Sequence, residues 1–174
     1  THMWIISCAT TWDGETATVY VDKDVEVEGA IVKSLRQLKF DLDDHFEKGG
    51  KLLGHNIVAS DLPALRDSMD IYCIRKYLEH KEERCIDTSR MMTQAVGKRV
   101  QLDNLAKCNL DAAKSADGLT AVKWWAEGRY DDVVKYCLLD SQLTLEVWKM
   151  GVENKELKFF NEDEGEFEIV KLEW

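Results

Sequence analysis

Residues 136–140, Tyr-Cys-Leu-Leu-Asp, lie inside a run from Tyr130 to Lys149 whose pattern predicts one helix. Two acidic residues, Asp131 and Asp132, stand where the first turn would begin, and anionic side chains suit the positive end of a helix dipole. Apolar and small residues recur at the spacing of one buried face, namely Val133, Val134, Cys137, Ser141, Leu145 and Trp148. The rest of the predicted fold is arranged around this helix.

Tyr136 and Asp140 are four residues apart, so on this helix they lie one above the other on a neighbouring face. A phenol next to a carboxylate can hold a metal ion and orient a water molecule. The same spacing also fits a partly buried tyrosine beside an ordinary solvated aspartate. The pair alone leaves both interpretations open.

Length and composition predict one compact globular domain. The chain has 174 residues, 45% of them hydrophobic, and a formal net charge of −10. This charge argues against a protein that coats nucleic acid through bulk positive charge, but it is compatible with a local basic groove beside an acidic, cation-filled site.

Cellular location is predicted from cysteines and hydropathy. Five cysteines without a Cys-x-x-Cys motif indicate reduced thiols and a cytoplasmic protein, because a disulfide framework uses cysteines in pairs. No apolar run is long enough for a membrane span, and the first residues do not resemble a signal peptide. Residues 1–3, Thr-His-Met, resemble a cloning remnant.

The order of the elements predicts a mixed α/β sheet. A hairpin is expected around the turn at residues 12–15, followed by a helix from Ile31 to Phe46 that ends at Gly49-Gly50. Residues 51–54 then form a short buried strand. Residues 157–160 and 167–172 flank a polar turn and predict a second hairpin.

A second stretch with chemical potential, Gly-His-Asn at residues 54–56, leads to Asp61. The strand ends near Gly54, and a helix opens near Ser60, so Asp61 lies where ligand sites of open α/β sheets collect. Asp61 could equally be a simple helix cap. His55 is expected to be a satisfied core histidine rather than a metal ligand.

The densest basic group in this acidic chain consists of Lys98, Arg99, Lys107 and Lys114. These cations fit either a solvated face or the phosphate-contacting rim of a substrate groove. The pair Trp124-Trp125 is expected to pack against the core rather than to stack on bases.

Asn56 and Asp61 after a strand, followed far downstream by Tyr-x-x-x-Asp on a helix, resemble the tyrosine subgroup of the DEDD 3′–5′ exonucleases. That family belongs to the ribonuclease H-like superfamily. The chain is most similar to bacterial predicted exonuclease domains, stand-alone or helicase-associated, which share an ordered set of motifs. Here the set consists of Leu102 and Leu105, residues 114–119, Trp124-Trp125, residues 127–129, residues 136–140 and Trp174.

The resemblance implies a ribonuclease H-like mixed sheet flanked by helices. It implies one exonuclease-like domain over residues 1–174, with a C-terminal hairpin appendage at residues 152–174. Proteins of this kind act on nucleic acid, here expected to be a single-stranded 3′ end, and can be joined to a helicase or polymerase.

The resemblance also implies the chemistry. Two divalent cations, Mg²⁺ or Mn²⁺, would neutralise charge and activate water during phosphodiester hydrolysis. Matching motifs give Asp61 and Asp140 as metal ligands and catalytic residues, with Tyr136 orienting the attacking water. Asn56 would support the second motif or the substrate end, and Lys114 would contact substrate.

The family's first motif, Asp-x-Glu on the first strand, is absent from its expected place, and three explanations are open. The first strand could precede residue 1; Cys8 and Thr10 could stand in place of the acids; or Asp13 and Glu15 could be the ligands, although they fall on a predicted turn. The sequence therefore predicts a metal-dependent 3′–5′ exonuclease domain. The alternative is an inactive pseudo-exonuclease that binds nucleic acid or protein.

Overall fold

The computed structural model describes residues 6–69, 72–112 and 118–173, which form a mixed α/β structure of seven strands and eight helices. The strands are β1 (Cys8–Trp12), β2 (Ala17–Val21), β3 (Ala30–Lys33), β4 (Leu52–Gly54), β5 (Cys85–Asp87), β6 (Glu156–Asn161) and β7 (Glu166–Lys171). The helices are α1 (Gln37–Glu47), α2 (Asp61–Met69), α3 (Tyr72–Glu79), α4 (Lys81–Arg84), α5 (Thr88–Val96), α6 (Leu102–Leu110), α7 (Gly118–Ala126) and α8 (Tyr130–Asn154).

The strands of these described ranges form three small sheets. β1 pairs antiparallel with β2, which pairs parallel with β3, while β4 and β5 form a parallel pair. β6 and β7 form the antiparallel C-terminal hairpin. Both predicted hairpins are therefore confirmed, as are the predicted strand that ends at Gly54 and the helix that follows it.

The helix predicted from Ile31 was wrong over its first turns. Ile31 and Val32 belong to β3, and α1 begins only at Gln37. β-branched side chains favour strands, and Gly29 turns the backbone at φ 73° just before them, so β3 can pair with β2. The remaining helical spacing holds, because Leu38 and Leu42 are buried in α1.

Helix α8 is confirmed and runs five residues beyond Lys149, to Asn154, but its buried face was predicted incompletely. Val133 and Val134 are buried as expected, whereas the other predicted positions are only partly buried. The buried residues of α8 are Val133, Val134, Tyr136, Leu138, Leu143, Thr144, Val147 and Gly151. The buried residues of α8 do not follow a single apolar stripe, because other elements cover the helix on more than one side.

Three groups of buried side chains hold these elements together. One contains Leu143 and Val147 of α8 with residues of α5, α6 and the C-terminal hairpin. A second packs Tyr20 of β2 against α1, α2 and α3. In the third, Val134 of α8 packs against Val19 and Val21 of β2. The β1–β2–β3 sheet thus has a different core on each face.

No helix within the described ranges is long and apolar enough to cross a lipid bilayer. The five cysteines all carry free thiols. The two tryptophans of α7 are partly buried, and Trp125 packs edge-on against Tyr130 at 4.7 Å between ring centroids, as the packing prediction expects.

Two asparagines of α6 complete the outer edge of β6. The Asn104 side chain accepts from Phe160 N–H at 2.8 Å and donates to the Phe160 carbonyl at 2.8 Å. Asn109 makes the same pair of bonds with Lys158, at 2.9 and 2.7 Å. Each amide thus replaces one residue of a neighbouring strand and fixes the hairpin on the helix.

We expect Asn104→Ala to lower the free energy of unfolding by about 1–3 kcal/mol, because it leaves two partly buried backbone groups of Phe160 unpaired. Urea denaturation followed by tryptophan fluorescence measures the loss. Asn109→Ala is the matched control: it gains the same helix propensity, but its bonds are exposed, so water replaces them. Equal stability of the two variants would contradict this account of the edge.

Candidate functional site

A buried carboxylate, Asp87, shapes the turn that leads to Asp61. Its Oδ1 atom accepts from the Asn56 N–H at 2.8 Å and from the Arg90 N–H at 3.2 Å, while Oδ2 accepts from the Val58 N–H at 3.1 Å. Asp87 is 6% exposed and also caps α5. One side chain at the end of β5 thus holds the segment that follows the neighbouring strand, β4.

The turn itself is tight at Gly54. A Cβ atom at this position would lie 2.5 Å from the Cβ of Ile57, too close for any side chain. Asn56 adopts a left-handed conformation with φ 72°, which asparagine tolerates better than most residues. The backbone path therefore explains Gly54 and favours Asn56, whatever the chemistry of the site.

His55 is a structural residue. Its Nδ1 lies 2.9 Å from Thr88 Oγ1, and its Nε2 lies 3.0 Å from the Val100 carbonyl oxygen. Because both ring nitrogens are engaged, His55 fits the predicted satisfied core histidine. Thr88, which is fully buried, also donates to the Gly54 carbonyl and so joins α5 to β4.

Asp61 begins α2 and reaches solvent, but the surrounding protein removes much of its hydration. This desolvation raises the pKa of Asp61, and the negative charges of Asp87 and Asp140 raise it further. The carboxylate of Asp61 is therefore close enough to both of the other carboxylates to feel their charge. A cation placed there would relieve the repulsion.

Tyr136 and Asp140 lie one turn apart on α8. Tyr136 is buried, and Asp140 is partly buried, with its Oδ1 atom shielded from solvent. Helix α8, which carries Asp140, packs against β4, the strand that leads to Asp61. Two segments 79 residues apart thus come together, and the negative charge of Asp140 contributes to the raised pKa of Asp61. Asp61, Asp87 and Asp140 together form the acidic site.

Strand β1 runs alongside the same part of α8. Cys8 Sγ lies 4.0 Å from Cys137 Sγ, and Thr10 Oγ1 lies 3.0 Å from Ser141 Oγ. From Cys8 to Thr10 the strand rises about 6.6 Å, and from Cys137 to Ser141 the helix rises about 6.0 Å. Because these distances are similar and both contacts advance in chain order, β1 and α8 run in the same direction. Cys8 and Thr10 thus face the helix that carries Asp140.

The turn with Asp13 and Glu15 lies elsewhere. Asp13 Oδ1 accepts from the N–H groups of Glu15 and Thr16 at 2.9 and 2.7 Å, which explains why the pKa of Asp13 is lowered. Gly14 lies beside Leu145 and Lys149, which follow Asp140 on α8 by about 7.5 and 13.5 Å at 1.5 Å per residue. The structure therefore places this turn beyond Asp140 toward the C-terminal half of α8, and the backbone N–H groups of the turn bind the Asp13 carboxylate.

The predicted substrate contacts have different positions. Asn56 lies in the turn between β4 and α2, where its backbone N–H is bound by Asp87. Lys114 falls outside the described residues, as do Trp174 and most of the polar loop before α7. Of the other cations, Lys98 pairs with Asp163 at 2.6 Å and Lys107 with Asp103 at 2.6 Å.

The fit of divalent cations to the acidic site is partial. Carboxylate oxygens suit Mg²⁺ or Mn²⁺, and Mg²⁺ commonly keeps several waters when only one or two carboxylates bind it. Asp61 and Asp140 can serve in this way, whereas the carboxylate of Asp87 is occupied by three N–H groups. Within the described ranges no three His, Cys, Asp or Glu side chains are arranged to hold a metal ion. These residues therefore do not by themselves form a two-cation centre.

Sequence reasoning missed the role of Asp87 and the contact between Cys8 and Cys137. One feature of the sequence could have indicated Asp87, which stands at the end of a short strand just as Asp61 follows one. The carboxyl ends of parallel strands meet at one edge of a sheet, so the two residues could be expected to lie near each other. The thiol contact has no comparable signal, because its residues are 129 positions apart.

Compared with known proteins, the chain matches no family model, and no curated protein sequence matches it significantly.

The raised pKa of Asp61 predicts a pH-dependent effect of Asp61→Asn, measured with a chelator present. Between the unfolded pKa, about 3.9, and the higher native value, the folded wild type binds more protons than the unfolded chain, so its stability falls as pH rises. The Asp61→Asn variant has no carboxyl at this position, so its stability does not fall with pH for this reason. Its stability relative to wild type should therefore increase from acidic to neutral pH.

The control for this titration is Asp67→Asn on the same helix. A hydrogen bond from Arg66 lowers the pKa of Asp67, so that carboxylate stabilises the fold above its unfolded pKa and loses this effect as pH falls. Removing it should give the opposite slope. Thermal unfolding at a series of pH values decides, and a pH-independent difference for Asp61→Asn would contradict the electrostatic account.

Asp87→Asn should lower the free energy of unfolding by about 1–3 kcal/mol, because an amide can accept at only one of the two oxygen positions. Its NH₂ group would face a backbone N–H of the turn or of α5. Urea denaturation measures the loss. The exposed Asp44, paired only with Lys48, provides the control Asp44→Asn, which should be nearly neutral. The account of Asp87 fails if both variants lose the same amount.

Proposed function

We propose that this chain is an exonuclease-type domain of ribonuclease H-like fold that acts on the 3′ ends of single-stranded nucleic acid with a divalent cation. The observation that carries the proposal is the packing of α8, with Asp140 at its middle, against β4, which leads to Asp61 at the start of α2. The negative charge of Asp140 also contributes to the raised pKa of Asp61. The two belong to motifs that resemble those of the DEDD exonucleases.

The chemistry of the site supports a cation-dependent function. Like charges held together disfavour their own ionisation, as the raised pKa of Asp61 illustrates, and a bound cation reverses that balance. When bound, Mg²⁺ or Mn²⁺ would supply positive charge to neutralise a phosphodiester. Asp61 and Asp140 would hold it, and Tyr136, one turn before Asp140, would orient the attacking water.

Hydrolysis by two cations requires more ligands than Asp61 and Asp140 provide. The first-motif acids of the resemblance would complete such a centre if a strand preceding residue 1 carried them. The proposal therefore separates into two levels. Cation binding by Asp61 and Asp140 is the first, and strand cleavage is the second.

A second candidate function is a non-catalytic binding module that keeps the groove. The contacts of β1 favour it: Cys8 and Thr10 face α8 through Cys137 and Ser141, so a thiol and a hydroxyl occupy a surface where carboxylates would be needed. Such a module would hold nucleic acid in a cation-dependent manner and leave its phosphodiester bonds intact.

Mn²⁺ titration by calorimetry tests the first level. We expect Asp61→Asn and Asp140→Asn each to weaken binding at least about tenfold, because each removes a charged ligand. Asp44→Asn, an exposed aspartate of α1 far from these motifs, should leave the affinity unchanged. Circular dichroism must report a folded protein for every variant. If the wild type does not bind Mn²⁺, the cation site and both candidate functions fail.

A nuclease assay tests the second level. Single-stranded DNA and RNA labelled at the 5′ end are incubated with the wild type, Asp140→Asn and Asp44→Asn, with Mn²⁺ or with a chelator. Progressive shortening from the 3′ end that requires Mn²⁺ and Asp140 supports the exonuclease. Intact strands that are retained only with Mn²⁺ support the binding module. Strands neither bound nor shortened would contradict both.

A further inference from the structure

Cys8 and Cys137 are the one thiol pair in contact among the five cysteines, all of which lie in the described ranges. Their sulfur atoms are 4.0 Å apart, although 129 residues separate them in the chain. Both residues are partly buried. Neither thiol has a part in the proposed hydrolysis.

The register of β1 against α8 holds the pair in place. Two residues further along β1, Thr10 bonds to Ser141 at 3.0 Å, and Ser141 lies one helical turn after Cys137. A disulfide requires about 2.05 Å between the sulfurs, so they must approach by about 2 Å. Formation of the disulfide requires that rotation of the two side chains supplies this movement.

The two thiols are chemically unequal. The hydrogen bond from Cys137 lowers the pKa of Cys8. The pKa of Cys137 is raised by this bond, by burial and by the negative charges of Asp140 and Asp61. Cys8 is therefore the thiol that ionises more readily, and the thiolate is the nucleophile in thiol oxidation.

We propose that Cys8 and Cys137 form an oxidisable dithiol that reacts with a hydroperoxide and closes to a disulfide joining β1 to α8. The Cys8 thiolate attacks one peroxide oxygen; the O–O bond breaks, and the other oxygen leaves as hydroxide or alkoxide, giving a sulfenic acid at Cys8. The Cys137 sulfur then attacks the Cys8 sulfur. The S–O bond breaks, and water leaves with the proton of Cys137. Two thiols are oxidised, and one hydroperoxide is reduced.

The disulfide would join strand and helix beside the acidic site, since Cys137 lies between Tyr136 and Asp140 on α8. This inference is independent of the proposed function: it concerns only two thiols and their geometry, and it holds whether or not the chain binds a cation or cleaves nucleic acid.

Peptide mapping after oxidation tests the proposal. The reduced full chain is treated with equimolar hydrogen peroxide, remaining thiols are blocked with N-ethylmaleimide, and peptides are analysed without reduction. We expect a peptide pair linked through Cys8 and Cys137 that disappears after dithiothreitol. Burial raises the pKa of Cys73 to about 12 and that of Cys85 to about 11, so both should escape oxidation. They should be recovered as maleimide adducts and not in disulfides.

Two variants assign the roles. Cys137→Ser should accumulate a sulfenic acid at Cys8 that dimedone traps, because the second thiol is missing. Cys108→Ser should keep the Cys8–Cys137 link, since Cys108 lies on α6 and its sulfur contacts Asn104. The proposal is overturned if, after peroxide treatment, Cys8 and Cys137 are both recovered fully as maleimide adducts. It is also overturned if either is found linked to another cysteine. The wild-type map decides this even if a variant fails to fold.

Discussion

Helix α8 is held from more than one side, and the remaining elements are arranged by that constraint. Leu143 and Val147 belong to the core shared with α6 and the C-terminal hairpin, whereas Val134 belongs to the core under β2. A rotation by one residue, about 100°, would expose one set or the other to water. The orientation of Tyr136 and Asp140 is therefore fixed by apolar packing far from their own polar groups.

The same constraint explains which parts of the fold could be predicted from the sequence. The start of α8, both hairpins and the helix after Gly54 follow from local patterns, because turn residues and apolar spacing act over a few neighbouring positions. The strand at Ile31 and Val32 was missed because its apolar residues also fit the spacing of the helix that follows. Only pairing with β2, a tertiary interaction, distinguishes the two.

The acidic site was predictable to a different degree. Asp61 and Asp140 stand out through motifs, but nothing in the spacing distinguishes Asp87 from any aspartate after a strand. Its position becomes clear from three backbone N–H groups, which belong to the turn after β4 and to α5. Asp87 contributes a charge that raises the pKa of Asp61, although three backbone N–H groups already occupy most of its acceptor sites. Structural and candidate functional carboxylates therefore share one electrostatic environment.

This environment determines how the chain could meet a polyanion. With a net charge of −10, the protein repels nucleic acid at long range. Lys98 and Lys107 are paired with Asp163 and Asp103, so their charges are largely compensated at the surface. A cation at Asp61 and Asp140 would lower this repulsion where a phosphate must approach, and it would also offset the repulsion between the two carboxylates. Binding of the cation and stability of the fold are then linked, because a ligand that binds only the native state stabilises it. If the chain binds nucleic acid at this site, as proposed, a cation would therefore favour binding electrostatically before any step of hydrolysis.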